Sequence, residues 1–509
     1  MNRLPLWIPT KGALIIKSSA RLLNRMIARL KLLRELALVS TFCLSLQAEQ
    51  RPNILIFLVD DMGPMDTSVP FLSEGGQPKT YPLNERYRTP AMEQLAKQGL
   101  RFERYYANSV CSPSRVSLIT GQNAARHQTT QWINPYGRNM DPHAPKDWNW
   151  QGVAEGSITL PGLLADAGYH TIHVGKAHWG PLDHPGADPV RIGFDRNVAG
   201  SAWGRPGSYY GTRNFTNAKQ LRQPPHLNAY HGQDIHLTEA LTNEMLKQLD
   251  IGHATGKPIF AHMAFYSVHS PFEADPKFLK NYPKDLPGRA FAAMIEGMDH
   301  AVGRILAHLQ TLGIAENTLV FFLGDNGSVH SSKPLRGIKA QRYEGGTRVP
   351  FIVSWAKPSD NDLQAQWQIP EGEHHTESFG TILDLMPTIL NLTVTAAPQG
   401  YIMDGHDLRD VHAGETPQTF LMHFPHQHRS AYFTTWHHGD WKLIYQYHWQ
   451  PRLQLFNLAD DPEERDDRTT QEPERLRSMF QEMTAALQET NAQFPTAKKT
   501  GEPLRPQLN

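Results

Sequence analysis

From residue 52 onward the chain repeats one pattern, a short apolar run followed by a helical stretch, and that alternation fixes the kind of fold available to it. Asn53–Val59 reads as a fully buried strand, and Thr89–Gly99 has the cap, spacing and terminal glycine of a helix. Leu160–Gly168 repeats the helical pattern and Tyr169–Val174 returns as a strand. Pro258–Val268 is a further apolar run, Ala292–Leu312 a long amphipathic helix, and Thr318–Leu323 the strand after it. Val349–Trp355 and a helix over Phe379–Leu392 complete the series. Strand–helix alternation of this kind predicts an α/β fold, a large mostly parallel sheet covered by helices on both faces.

At 509 residues the chain exceeds what one hydrophobic core usually fills, so a smaller second unit is expected. The pattern changes near residues 393–412, and Ala431–Trp436, Trp441–Tyr447 and Leu453–Leu458 read as an antiparallel meander. Leu476, Met479, Phe480, Met483 and Leu487 form one stripe of a closing helix. These features divide the chain into a large domain at 49–412 and a smaller carboxy-terminal subdomain at 413–509. Gly200–Gly211, rich in Gly, Trp, Tyr and Arg without periodicity, is a loop.

Residues 1–34 carry eight Lys or Arg and no acid, and the apolar stretch Leu36–Leu46 ends at Gln47-Ala48. That is the layout of a secretory signal peptide, assigned here to 1–48, so export to the periplasm or the medium is expected. Removal of the signal would take Cys43 with it and leave Cys111 as the single cysteine, which cannot form an internal disulfide. Fifty basic and fifty acidic side chains give a formal charge of zero, which excludes a general attraction to nucleic acid or an anionic membrane. No apolar run approaches the roughly 20 residues of a membrane span.

Chemistry-bearing residues cluster at the ends of predicted strands, where α/β sheets build their sites. Asp60-Asp61 follows the first strand, and Asp325-Asn326-Gly327 follows Thr318–Leu323. Adjacent carboxylates repel unless a cation lies between them, and three carboxylates with an amide oxygen suit a hard cation, calcium before magnesium. Either pair alone is better explained by a solvated turn or a helix cap, but two such pairs, both ending buried strands, reverse that preference. Cys111-Ser-Pro-Ser-Arg115 opens a helical stretch, with Pro113 in its first turn, and a helix amino terminus beside Arg115 both binds anions and acidifies a thiol.

Cys111-Ser-Pro-Ser-Arg115, continuing through Ser117–Gly121 to Arg126, resembles the signature of the formylglycine-dependent sulfatases. The resemblance runs from about residue 52 to about 465. It includes Ile56–Gly63, Gly175–Gly180, Gly324–Gly327, Gly337–Pro350, Gly439–Ile444 and Leu455–Pro462, in that order. It implies an alkaline-phosphatase-like fold and a modifying enzyme that oxidises Cys111 to formylglycine. It also implies that Asp60, Asp61, Asp325 and Asn326 hold calcium together with an oxygen of modified Cys111. Ala177 departs from the bulky aromatic frequent in the family, which alters packing but leaves Lys176 and His178 in place.

A site for sulfate esters must neutralise the anion, supply a nucleophile and protonate the departing alcohol. Lys176 and Lys339, with the cation, suit the first task, and Arg115 with the cation favours an ionised nucleophile at position 111. His269 or Lys339 would protonate the alcohol, and His178 would act as base at position 111. His423, His426 and His428 cluster near the start of the smaller subdomain and, with Trp203, Tyr209 and Tyr210, suit contact with a sugar. A transition-metal site or a plain surface loop are the other readings of those histidines. The expected substrate is a sulfated saccharide. A phosphodiester or phosphonate monoester hydrolase of the same superfamily, and a catalytically silent saccharide-binding protein, are the alternatives. Every position from Asp60 to Lys339 being filled weighs against the silent protein.

Overall fold

A computed structural model describes residues 51–429 and 431–508. The signal-peptide segment 1–48 lies outside the described residues. Eight strands build the large sheet: β1 (Asn53–Val59), β2 (Leu100–Phe102), β3 (His170–Gly175), β4 (Arg196–Val198), β5 (Ile259–Ala264), β6 (Thr318–Gly324), β7 (Phe351–Trp355) and β8 (Glu373–His375). Their order across the sheet is β8–β2–β7–β6–β1–β5–β3–β4. The run β6–β1–β5–β3–β4 is parallel throughout, and β7 is antiparallel to both β6 and β2. Continuous apolar strands such as Asn53–Val59 end up central because helices cover both faces.

On one face lie α1 (Pro90–Gln98), α4 (Leu237–Ala254) and α5 (Arg289–Thr311). On the other lie α2 (Cys111–Thr120), α3 (Leu160–Asp166) and α6 (Leu385–Leu392). The helix expected over Phe379–Leu392 is only half α-helical. Gly380–Thr381 pairs with Tyr105–Tyr106, and a 3₁₀ turn with an Asp384 capping box precedes α6.

A second sheet, β9 (Thr419–Gln427), β10 (Ala431–His438), β11 (Trp441–Gln446) and β12 (Leu453–Asn457), is a simple antiparallel meander. The last helix, α7 (Pro473–Glu489), buries Met479, Phe480, Met483 and Leu487 against Leu443 and Tyr445 of this sheet. The first strand is covered on both sides: Phe420, Met422 and Phe424 join the core of the large sheet, and Leu421 joins that of α7. Residues Pro52–Asn509 therefore form one compact unit.

Candidate active site

In-register pairing of neighbouring parallel strands delivers most of the polar residues to one edge. Val59 pairs with Gly324, so Asp60 and Asp325 leave β1 and β6 at the same level. Gly175 pairs with Ala264, so Lys176 leaves β3 beside the segment that carries His269. All these residues follow the carboxyl ends of strands, where the helix-covered sheet opens to solvent.

Cys111 is the first residue of α2, with Val110 extended before it and Gly121 closing the helix at φ 64°. All ten helix residues are buried. A side chain at Gly121 would meet Met386 at 3.2 Å, so glycine serves both the left-handed turn and the packing. Arg115, one turn into the helix, is fully buried, with Nε donating to Asp325 Oδ2 at 2.8 Å and Nη1 to the Lys176 carbonyl at 2.7 Å.

Three acids and three bases interlock without solvent. Lys176 Nζ donates to Asp60 Oδ2 at 2.7 Å, Arg115 holds Asp325, and Lys339 pairs with Asp61 Oδ1. Each base takes one oxygen of its acid. Asp60 Oδ1, Asp61 Oδ2 and Asn326 Oδ1 remain buried with no hydrogen-bond partner. The Asn326 amide cannot turn its oxygen elsewhere, because its nitrogen donates to Asp61 Oδ1 at 2.9 Å and to the Gly327 carbonyl at 3.0 Å. Asp60, Asp61 and Asp325 bring one carboxylate oxygen each within 4.8 Å of the others. Orphaned buried oxygens are costly, and a set made only of oxygens fits a hard cation. With three acids balanced by three bases, a divalent ion would leave the site positive, as binding an anionic ester requires.

Electrostatics follow the same pairs. Burial pushes the Asp60 carboxyl well up, against the pull of Lys176. Burial acts the same way on Asp61, but Lys339 and His269 outweigh it and hold Asp61 low. Burial would depress Lys339, and Asp61 and Cys111 reverse that, so its proton is held firmly. His178 is driven well below its ordinary value by burial and then by Lys176. His269 is pushed down to about 3 by burial, in part offset by Asp61, whose Oδ2 lies 3.7 Å from Nε2.

Asp61, Cys111, His178, His269, Lys339 and Trp203 line one cavity of about 470 Å³. Trp132, Ile133, Pro135 and Phe272 give it apolar walls, and His428 and Arg429 also reach it. The loop 199–211 brings Trp203, Gly204 and Arg205 to it. A side chain at Gly204 would stand 2.6 Å from the His178 ring, so only glycine lets the loop pass there.

Four residues expected to contact a sugar need correction. His423 sits mid-strand in β9 with Nδ1 on Thr434 Oγ1 and Nε2 on the Gln493 carbonyl, both at 2.7 Å, so neither nitrogen is free for a ligand. His426 is fully buried, bonded to Thr130 Oγ1 at 2.8 Å and packed edge-on to Trp148. Strand alternation and cover on both sides of β9 take these rings inward, and only His428, past the strand's end, reaches the cavity. Tyr209 and Tyr210 turn inward as well, donating to the Tyr266 and Ala274 carbonyls. Arg126 is structural, forked onto Asp404 at 2.7–3.0 Å. Arg348 ties down its loop through the Glu103 carbonyl at 2.8 Å and Glu344 at 3.7 Å.

Sequence reading did not find Trp132, Arg205, Arg222, Phe272 or Arg429, which come from loops with no periodic signal.

Comparison with known proteins agrees with this arrangement. A sulfatase family model matches residues 52–395. The chain is 32% identical over 385 residues to an N-acetylgalactosamine-6-sulfatase of Mus musculus, covering 71% of the chain and 66% of that protein, so it spans slightly less than two thirds of that relative's length. It is 27% identical over 481 residues to a sulfatase of Formosa agariphila, covering 81% of the chain and 84% of that protein. The crystal structure of Ps i-CgsB shares the fold at a TM-score of 0.70 and 24% identity, over 87% of this chain and 94% of that one. The chain belongs to the sulfatase family.

Proposed function

We propose that this protein hydrolyses sulfate esters of a saccharide, with calcium held by Asp60, Asp61, Asp325 and Asn326 and with Cys111 converted to formylglycine by a modifying enzyme. The observation that carries the reading is the lining of one cavity by Cys111, Asp61, His178, His269 and Lys339. Bound calcium would supply positive charge for the ester oxygens, and the hydrated aldehyde of residue 111 an oxygen nucleophile with a second hydroxyl.

The chain's own residues do the rest. Lys339 presents a fixed proton and positive charge to the cavity, and behind it Lys176 pairs with Asp60 while Arg115 holds Asp325 ionised. His178 keeps a lone pair aimed at residue 111 and accepts a proton there. His269 and Lys339 stand beside Asp61, where the departing alcohol takes its proton. Trp132, Ile133 and Pro135 exclude water from one side of this chemistry. The basic, apolar-cored amino terminus supports export, and no described helix is long and apolar enough to cross a membrane.

Two measurements on one preparation test the reading. Mass spectrometry of the tryptic peptide bearing residue 111 should show an aldehyde when the host has the modifying machinery. Sulfate should be released from a panel of sulfated mono- and oligosaccharides, and not by Cys111→Ala. Unmodified thiol in fully active protein, or turnover of phosphonate monoesters without sulfate esters, would overturn it.

A further inference from the structure

The cavity is charged more strongly than one sulfate requires. Asp61 is its sole acid among the described residues, and that acid is taken by Lys339. Arg205, Arg222 and Arg429 also line the cavity, and none of the three guanidinium groups makes an ion pair or hydrogen bond with a described residue. Arg205 and Arg222 are both half-buried and are held near each other by the backbone, Gly207 N–H donating to the Arg222 carbonyl at 3.0 Å. Arg222 itself is in the left-handed region at φ 63°, a conformation a non-glycine residue adopts at a cost. Burial lowers the Arg205 pKa, and the like charge of Arg222 lowers it further. Two cations are thus held together without an acid between them, beside a loop that rests on the His178 ring.

We propose that Arg205 and Arg222 form an anion subsite next to the reacting centre, which takes a second acidic group, sulfate or carboxylate, on the same saccharide. A guanidinium fork matches both groups in shape and charge. The substrate class is then an oligosaccharide with at least two acidic groups, the scissile sulfate at residue 111 and the other at the arginine pair. This inference rests on the sulfatase reading above for the scissile group, but its own evidence is the unpaired guanidinium pair.

Three saccharides of equal length test it: one with a single sulfate, one with a second sulfate on the neighbouring sugar, and one with a uronate there. The wild-type enzyme should favour at least one doubly acidic saccharide by tenfold or more in kcat/KM. Arg205→Gln with Arg222→Gln should bring that ratio close to one, each single substitution giving part of the loss. The arm that keeps its advantage in the wild type identifies the second group as sulfate or carboxylate. Calorimetry on Cys111→Ala protein, with and without the two arginines, reads the same ratio in Kd without turnover. No preference in either arm, or a preference that survives both substitutions, overturns the subsite. Failure to release sulfate from any ester, 4-nitrophenyl sulfate included, would instead sink the sulfatase reading, and the Kd ratio would still decide on the subsite.

Discussion

The Cys111 sulfur lies 3.4 Å from Nδ1 of His178, whose other nitrogen, Nε2, donates to the Ile133 carbonyl at 2.7 Å. A carbonyl only accepts, so Nε2 carries the ring's proton and Nδ1 faces residue 111 as a lone pair. Ser112 Oγ, 3.3 Å from Nδ1, gives its own proton to the His178 carbonyl at 3.2 Å, so Nδ1 is left to accept from residue 111. Burial keeps the ring neutral.

A base placed this way predicts a specific defect. His178→Ala should release about one equivalent of alcohol per active site and then stall, with steady turnover down by about 10²–10⁴-fold. Rapid-quench measurement of alcohol and sulfate separates the two stages. Equal slowing of both products would mean that His178 acts only as packing.

Metal removal should act on both activity and stability. Three buried oxygens without partners are relieved by a hard cation, so calcium should raise the thermal midpoint and EGTA lower it, each in proportion to occupancy. Sulfate release should vanish with EGTA and return with calcium, less so with magnesium. An unchanged melting curve under both treatments would argue that Asp60, Asp61 and Asn326 hold no ion.

The central sheet and the acidic cluster were legible because they rest on local signals. Asn53–Val59 is apolar at six consecutive positions, and its carboxylates follow at once. The two short strands at one end of the sheet were not legible: Leu100–Phe102 and Glu373–His375 have three residues each and gain their pairing from β7 and from each other. The histidines of β9 misled for a different reason. The segment was not read as a strand at all, and His423 is satisfied inside it by Thr434 and by Gln493, a long-range partner that no spacing shows. Arg205 and Arg222 lie in one irregular loop, and only the fold brings them to Cys111.

The histidine at 269 gives a prediction in leaving-group chemistry. Its Nδ1 lies 3.0 Å from the Ser270 carbonyl, which leaves Nε2 toward Asp61 and the cavity. The carbonyl takes the ring proton on Nδ1, so Nε2 must first bind a second proton, which Asp61 favours against burial; delivered from there, that proton matters most when the departing alcohol is a poor leaving group. His269→Ala should slow a sugar sulfate by about 10²-fold or more and 4-nitrophenyl sulfate far less. A plot of log kcat/KM against alcohol pKa should steepen in the variant, and parallel lines would assign the proton to Lys339 instead.

Lys442, in β11 and remote in sequence from Lys339, determines whether the loop bearing Lys339 holds its shape. Its ammonium is fully buried between Glu344 Oε1 and Glu464 Oε1, each at 2.9 Å. Glu344 also accepts from Tyr106 at 2.9 Å, and its backbone N–H donates to Glu464 at 2.7 Å, so the Gly-rich segment 337–350 is locked to the second sheet. Lys442→Met removes the one ammonium between two buried carboxylates. Breaking a buried pair in this way costs about 3–5 kcal/mol. Urea unfolding should show a loss of that size, and sulfate release should fall even below the new melting range as Lys339 loses its fixed position. Lys442→Met with Glu464→Gln should recover part of the stability, because one of the stranded charges is gone. A single-variant loss below about 1 kcal/mol, the range of an exposed pair, would mean that the segment is held by Arg348 and packing alone.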